Sequence, residues 1–212
     1  MQEFTIDCRR CVRLARYLDG VRRVHPAYHG RPVPPFGPDT AALLVVGLAP
    51  GMHGANRTGR PFTGDHAGIL LYETLHRYGF ASRPVSAAAG DGLRLANCRI
   101  TNAVKCLPPE NKPTTAEADL CNPFLAAELA ALDAGAVILA LGAIAHRAVL
   151  RARGLKLAQY PFSHGAEHAL PDAVTLVDSY HCSRYNTQTG RLTAKMFKAV
   201  LQRARTLAFG EP

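Results

Sequence analysis

A polar segment near the C-terminus combines side chains that can bind phosphate and a heterocyclic base. Residues 181–193 read HCSRYNTQTGRLT and follow the apolar run AVTLVDS. His181 stands where that run emerges, and a donor there can stabilise negative charge that develops on a leaving base. The segment also offers hydroxyl, guanidinium and amide groups, which contact phosphate oxygens in nucleic-acid complexes. These groups belong to Ser183, Arg184, Asn186 and Arg191.

A glycine-rich segment follows the first apolar run of the chain and reads GLAPGMHGANRTGRPFTGD. Its glycines lack the spacing of a dinucleotide or P-loop phosphate site, and no lysine follows them at the required place. The segment therefore predicts a backbone cradle for a different ligand. We expect Gly47, Leu48 and Ala49, at its start, to form one wall of the site.

Three further residues each have a structural and a functional interpretation. Phe62 either plugs the core or offers a flat face on which a base stacks. Asp65 begins a helical pattern, where it is a good N-cap, and its carboxylate can also balance a cationic sugar or orient water. Asn102 ends the second apolar run, where its amide either satisfies loop backbone or reads the edge of a base. The residue types alone leave these alternatives open.

Four of the six cysteines are candidate metal ligands. Cys8 and Cys11 form a C-x-x-C pair, whereas Cys106 and Cys121 lie far downstream beside a proline-rich loop. Four thiolates without histidine suit either a [4Fe–4S] cluster or a Cys₄ zinc site, and their spacing does not decide between the two. Cys98 lies inside an apolar run and is expected in the core.

The elements that position these residues alternate between strand and helix patterns. Continuous apolar runs, typical of buried parallel strands, occupy residues 42–48, 99–104, 136–142 and 173–179. The pattern predicts an α/β fold, a three-layer αβα sandwich around a four-stranded parallel sheet, with residues 1–212 as a single domain. The polar segments 49–64, 102–114 and 180–191 then meet at the carboxyl ends of the strands, where ligands bind in such sheets.

Composition favours a polyanionic partner. The chain has 25 Lys and Arg against 16 Asp and Glu, a formal charge of +9. An arginine-rich genome is the alternative explanation. The charged N-terminus is unlike a signal peptide, and no apolar run reaches the length of a membrane span. We therefore expect a cytoplasmic protein, a monomer that does not bind membranes.

Three motifs in order, together with the four cysteines, resemble the bacterial and archaeal iron–sulfur uracil-DNA glycosylases, most closely family 5, or type B. The motifs are GLAPG-x-x-G-x-N-R-T-G-R-P-F-T-G-D, TNAVKC-x-P-P-x-N-K-P and H-x-S-R-x-N-T-Q-T-G-R-L-T. The resemblance extends from Cys8 to the final helix. It implies an αβα sandwich around a four-stranded parallel sheet, and excision of a damaged base from DNA to leave an abasic site.

The resemblance also implies a structural [4Fe–4S] cluster held by Cys8, Cys11, Cys106 and Cys121, to which the N-terminal segment 1–40 contributes. Family 4 carries GEGPG in the first motif, where the acid helps to position water. Here the stretch is GLAPG, with neither an acid nor an amide, which leaves the activation of water unassigned.

These inferences combine into one expected mechanism. Double-stranded DNA binds through the last loop, and the uracil flips out of the duplex. It stacks on Phe62, Asn102 reads its edge, His181 donates to its oxygen, and Asp65 balances the cationic sugar. Apolar walls at Leu48 and Ala49 reject bulk poorly, so hypoxanthine and other deaminated bases are expected substrates too.

None of the expected catalytic, base-binding or DNA-binding residues is a lysine, so we expect neither a Schiff base nor strand cleavage. Two other classes remain as alternatives. One is a non-catalytic Fe–S nucleic-acid-binding module, and the weaker one is a small-nucleotide hydrolase.

Overall fold

The computed structural model describes residues 4–210, in which strands and helices alternate along the chain. The strands are β1 (Leu43–Gly47), β2 (Cys98–Asn102), β3 (Val137–Leu141), β4 (Glu167–Ala169) and β5 (Thr175–Ser179). The helices are α1 (Val12–Val24), α2 (Ala55–Thr58), α3 (His66–Arg77), α4 (Thr115–Ala130), α5 (Ala143–Ala152), α6 (Arg184–Gln188) and α7 (Ala194–Phe209). Within that range, no helix is long and apolar enough to cross a bilayer.

The strands form one sheet in the order β2-β1-β3-β5-β4. The four strands predicted from apolar runs are all present, and each pairs in parallel with its neighbour. The strand order reverses direction between β1 and β3, and such a switch point opens a crevice at the carboxyl ends of the strands. The predicted α/β class and its ligand-binding edge therefore follow from the pairing.

The sheet has one strand more than the sequence pattern predicts. β4 is three residues long and pairs antiparallel with β5 at the sheet edge. Its His168 Nε2 lies 3.2 Å from the buried carboxylate of Asp178 on β5, and His146 Nδ1 from α5 lies 2.8 Å from the same carboxylate. A short edge strand anchored by polar contacts has no apolar run, so hydropathy patterns do not reveal it.

Side chains of the central strands alternate between two cores. Val45 and Leu139 face α3 and α7, whereas Leu44 and Ile138 face α4 and α5. Every residue of β1 and β3 is buried, because helices cover both faces of the sheet. This arrangement confirms the three-layer αβα sandwich.

The N-terminal helix builds a third, smaller core. The helix α1 begins at Val12, so the C-x-x-C pair lies in the segment that precedes it. Leu14 and Leu18 pack against residues that follow β2 and against Phe124 of α4. The segment before the first strand thus joins the part of the chain that carries Cys106 and Cys121.

Candidate active site

A cavity of about 440 Å³ opens at the carboxyl ends of β1, β2 and β5. It brings together eight of the residues singled out from the sequence, although they come from three distant segments. They are Leu48, Ala49, Phe62, Asp65, Asn102, His181, Ser183 and Arg184. The convergence of polar strand ends, predicted from the alternating pattern, is therefore present in the fold, while the chemical role of each residue remains a prediction.

Gly47 lies where Phe62 and Asn102 meet. It pairs with Asn102 across β1 and β2. A Cβ atom at Gly47 would come within 2.5 Å of Phe62 Cζ and would collide with Asn102 Oδ1. The end of β1 must be glycine because the ring and the amide occupy the space of a side chain.

Phe62 serves both the core and the cavity. Its backbone has a φ of 53°, and its side chain is buried at the edge of the core that contains Leu71. Its ring lies 5.9 Å from the His181 ring at an interplanar angle of 29°. The two interpretations of Phe62 are thus compatible, because a ring packed on the core still lines the cavity.

Asn102 has a buried side chain that forms no hydrogen bond with any other residue of the range 4–210. Only 4% of the residue is exposed. A strand-end amide that satisfied loop backbone would show such a bond, so the structural interpretation lacks support here. A buried amide with a free donor and a free acceptor is suited to a ligand that presents the complementary pair.

Asp65 is the N-cap of α3, as its position in the sequence predicts. Its Oδ1 accepts a hydrogen bond of 2.9 Å from the backbone N–H of Gly68. The side chain also reaches the cavity, and its Oδ2 lies against Gly54. Burial raises the pKa of this carboxyl above its ordinary value. Asp65 therefore both caps the helix and places a desolvated carboxylate at the site.

His181 is neutral at physiological pH. Burial lowers the pKa of its imidazole to about 4. Its carbonyl oxygen accepts a 2.8 Å hydrogen bond from Asn186 Nδ2, which ties the residue to α6. A neutral imidazole retains one N–H donor, which can stabilise an anion without a full positive charge nearby.

The remaining residues of the last loop separate into two groups. Ser183 and Arg184 line the cavity, and Ser183 also caps α6. Asn186 and Arg191 do not line it, since Asn186 holds the His181 carbonyl and the guanidinium of Arg191 lies 4.7 Å from the centroid of the Tyr180 ring. Contact of these four residues with DNA stays a prediction.

Two polar lining residues, His66 and Asn111, were not singled out from the sequence. His66 follows Asp65, and its Nε2 lies 3.0 Å from Thr187 Oγ1. Asn111 lies in the proline-rich loop between β2 and α4 and has a left-handed backbone with a φ of 57°. A loop has no periodicity that predicts where its side chains go, so membership in the second motif was the one available signal for Asn111.

A larger groove of about 740 Å³ continues from the cavity. The two share Asp65, His66, Asn111 and Arg184. Two apolar side chains along the groove, Ile69 and Val85, are exposed. The cavity is thus the deep end of a longer depression, whose outer part can hold a segment larger than one base.

The four candidate ligand thiols line one small cavity of their own. Cys106 and Cys121 are buried, Cys8 and Cys11 are partly buried, and all four are free thiols. Burial, together with the neighbouring thiols, raises the pKa of Cys11 to about 11 and also raises that of Cys106. Thiolates so crowded in an apolar pocket repel one another unless a cation lies between them.

The spacing of these thiols distinguishes between kinds of metal centre. Across residues 4–210, one group of at least three His, Cys, Asp or Glu donor atoms lies within 4.8 Å of one another, and it is His146, His168 and Asp178. Among the described residues, no three of the four cysteine sulfurs therefore all lie within 4.8 Å of one another. Tetrahedral zinc with Zn–S bonds of about 2.3 Å needs sulfurs about 3.8 Å apart. The donor set is all thiol and wider than a single-ion site.

The sequence is similar to known proteins over most of its length. The model of the uracil DNA glycosylase superfamily matches residues 34–205. The chain is 48% identical over 206 residues to the type-5 uracil-DNA glycosylase of Thermus thermophilus, covering 95% of this chain and 94% of that protein. It is 44% identical over 209 residues to the type-5 uracil-DNA glycosylase of Mycobacterium leprae, covering 95% and 91%. A type-4 uracil-DNA glycosylase of Pyrobaculum aerophilum is 35% identical over 128 residues, 60% of this chain and 57% of that protein.

Proposed function

Because the chain belongs to the type-5 branch of the uracil-DNA glycosylase superfamily, we propose that it hydrolyses the N-glycosidic bond of deoxyuridine in DNA and leaves an abasic site. The branch predicted from the three motifs is confirmed by these relatives. The observation that carries the proposal is the cavity in which an unpaired Asn102 amide, a neutral His181 and a desolvated Asp65 meet.

Recognition of the base rests on Phe62 and Asn102. Uracil presents a carbonyl acceptor beside an N–H donor, and the free amide of Asn102 offers the matching donor and acceptor. The flat ring of Phe62 supports a base extruded from the duplex. Gly47 permits both contacts, since any side chain there would fill the space that the ring and the amide occupy.

Bond cleavage transfers the electron pair of the N-glycosidic bond to the base. The negative charge then resides on the uracil ring and its oxygens, where the N–H of neutral His181 donates a hydrogen bond. The sugar becomes an oxocarbenium-like cation, and the Asp65 carboxylate stabilises it. Water adds to the sugar carbon and loses a proton, which gives the abasic site and free uracil.

We assign stabilisation of the cationic sugar to Asp65. Among the lining residues within 4–210, it is the only carboxylate. Leu48 and Ala49 offer neither an acid nor an amide to position water, so the cavity favours a reaction in which the bond is largely broken before water adds. We assign the orientation of that water to Asp65.

DNA binding uses the positive charge of the chain. Arg184 lies at the rim that the cavity and the groove share, and the net charge of +9 favours a polyanion. The groove accommodates nucleotides beside the flipped one. The monomeric state and the cytoplasmic location stay predictions.

The proposal extends to hypoxanthine and other deaminated bases. The wall at Leu48 and Ala49 is apolar and small, and such a wall discriminates weakly against extra bulk. We expect purified protein to release hypoxanthine from a duplex more slowly than uracil. Release of uracil alone would limit the enzyme to that base.

We also propose that Cys8, Cys11, Cys106 and Cys121 hold a [4Fe–4S] cluster. The support is an all-thiol donor set that is wider than a zinc site and surrounded by apolar side chains. The cluster would supply a cationic core that neutralises the thiolates and joins the N-terminal segment to α4, with no part in the reaction. Iron and sulfide analysis, with absorbance at about 400 nm, tests this proposal.

An excision assay on a labelled duplex with a single uracil tests the main proposal. We expect alkali-labile sites only when the duplex contains uracil. Binding without release of uracil would favour the nucleic-acid-binding module instead. Since no lysine lines the cavity within residues 4–210, we expect borohydride to trap no covalent adduct, as befits a monofunctional glycosylase.

A further inference from the structure

We propose that Arg13, on the N-terminal helix α1, is a positioning residue that holds Asn111 at the mouth of the active site. The inference rests on the proposed glycosylase reaction and assigns it a residue outside the cavity. It also gives the N-terminal helix a task of its own, beside that of the preceding segment, which carries Cys8 and Cys11.

The loop that carries Asn111 has a strained backbone. Glu110 has a φ of 54° and Asn111 a φ of 57°, so two consecutive residues other than glycine adopt the left-handed conformation. L-residues avoid this region, and two in succession persist only where the surroundings hold them. Strain of this kind concentrates at functional sites.

Arg13 contacts the loop without lining the cavity. Its Nη2 donates to the carbonyl of Lys112, the residue after Asn111, at 3.3 Å. The same guanidinium binds Glu117 in bidentate fashion, with Nε at 2.8 Å from Oε1 and Nη2 at 2.7 Å from Oε2. One side chain thus fixes both the strained turn and the first turn of α4.

Glu117 fixes the orientation of the Arg13 guanidinium. It is buried, and its Oε2 also accepts the backbone N–H of Thr114 at 2.8 Å, which completes the capping box of α4. A bidentate arginine–carboxylate pair restricts orientation more strongly than a single contact. The guanidinium is therefore itself held in place by a rigid helix start.

The position of the Asn111 side chain depends on how the backbone of its turn is held. Within residues 4–210, its amide forms no hydrogen bond to another residue, although it lines both the cavity and the groove. Its position therefore follows from the backbone alone. A small displacement of a group that contacts substrate reduces the rate strongly.

Arg13→Gln tests the proposal, with Arg151→Gln as the matched control. Arg151 forms an ion pair of 2.8 Å with Asp119, which also lies on α4, and within residues 4–210 it forms no hydrogen bond to the loop. We expect Arg13→Gln to lower kcat/KM for uracil excision about tenfold and Arg151→Gln to leave it within about twofold. Absorbance at about 400 nm should stay unchanged in both variants. Arg13→Lys should recover part of the loss.

A double-mutant cycle identifies the route of the effect. In an Asn111→Ala background, Arg13→Gln should cause no further loss, because the residue through which it acts is gone. Losses that multiply, an unchanged kcat/KM, or a lower Tm with unchanged kinetics would each overturn the proposal.

Hydrogen exchange of the backbone amides in residues 108–114 tests whether Arg13 holds the loop, and it needs no measurement of enzymatic activity. We expect faster exchange in Arg13→Gln than in wild type or Arg151→Gln. Equal exchange in the three proteins would show that Arg13 does not hold the loop. Absence of uracil excision by the wild type would instead disprove the proposed function, and the exchange result would still decide whether Arg13 holds the loop.

Discussion

The cavity that contains Asn102, here the base cavity, and the pocket of the four candidate ligand cysteines, here the thiol pocket, both include residues from the end of β2 onward. They differ in whether their polar groups have partners within the protein. Within residues 4–210, polar groups of the cavity such as the Asn102 amide form no hydrogen bond to another residue, so their interactions are available to a ligand. The thiol pocket surrounds four sulfurs with apolar side chains such as Phe124. Polar residues of the cavity should therefore determine activity with little effect on stability, whereas the ligand cysteines should determine stability with little effect on chemistry.

The largest expected effect comes from Asp65→Asn. Asparagine caps a helix as well as aspartate does, so α3 keeps its N-cap while the site loses its negative charge. We expect excision to fall about 10³-fold, because charge stabilisation in a desolvated site contributes about that much. Single-turnover kinetics measures the loss, and Tm and DNA affinity should stay near wild type. Activity close to wild type would reduce Asp65 to a helix cap.

Cys121→Ser tests whether the ligand cysteines determine stability. We expect loss of the absorbance at about 400 nm and a Tm lower by roughly 10 °C, since ligation of a structural metal centre contributes directly to folding. The folded fraction should keep its kcat. Cys98→Ala is the control, because Cys98 is buried in the main core and should leave the absorbance intact. Full colour in Cys121→Ser would remove Cys121 from the ligand set.

The pH profile distinguishes the roles of the two titrating groups in the cavity. Burial raises the pKa of Asp65, so the active carboxylate is lost at a higher pH than for an ordinary aspartate, and the rate should fall about tenfold per pH unit on the acid side. Burial lowers the pKa of His181 to about 4, so the imidazole stays neutral across the whole neutral range.

The rate should therefore not decline as pH rises through about 6.5, the ordinary pKa of histidine. A decline there that disappears in His181→Ala would show that the imidazolium is the active form. Asp65→Asn should abolish the acid limb and leave the neutral range flat.

The smallest expected effect separates positioning from DNA contact in the last loop. Asn186→Ala removes the hydrogen bond to the His181 carbonyl, so we expect kcat to fall by about threefold with KM unchanged. Arg191→Ala should instead raise KM and weaken its dependence on salt if the guanidinium contacts phosphate. A change in KM for Asn186→Ala would restore the DNA contact expected from the sequence.

The sequence predicted strand positions best where every residue of the strand is buried. β1 and β3 are apolar at every position and covered on both faces, and both were predicted within a residue or two. β4 was missed because its contacts are polar ones between His168 and Asp178. In the site, residues directly at strand ends were predicted, whereas Asn111 was not, because its place depends on a strained loop held from another helix.

The sequence by itself determined the alternation of strands and helices, the edge of the sheet at which polar segments gather, and the family. These properties depend on local periodicity and on residues in a fixed order, which one chain displays without its neighbours. Only the tertiary structure decided that the Asn102 amide has no partner among residues 4–210, that burial keeps His181 neutral, and that Arg13 reaches the loop of Asn111. Hydrogen-bond partners, desolvation and strain are properties of neighbours distant in sequence, so they exist only once the chain has folded.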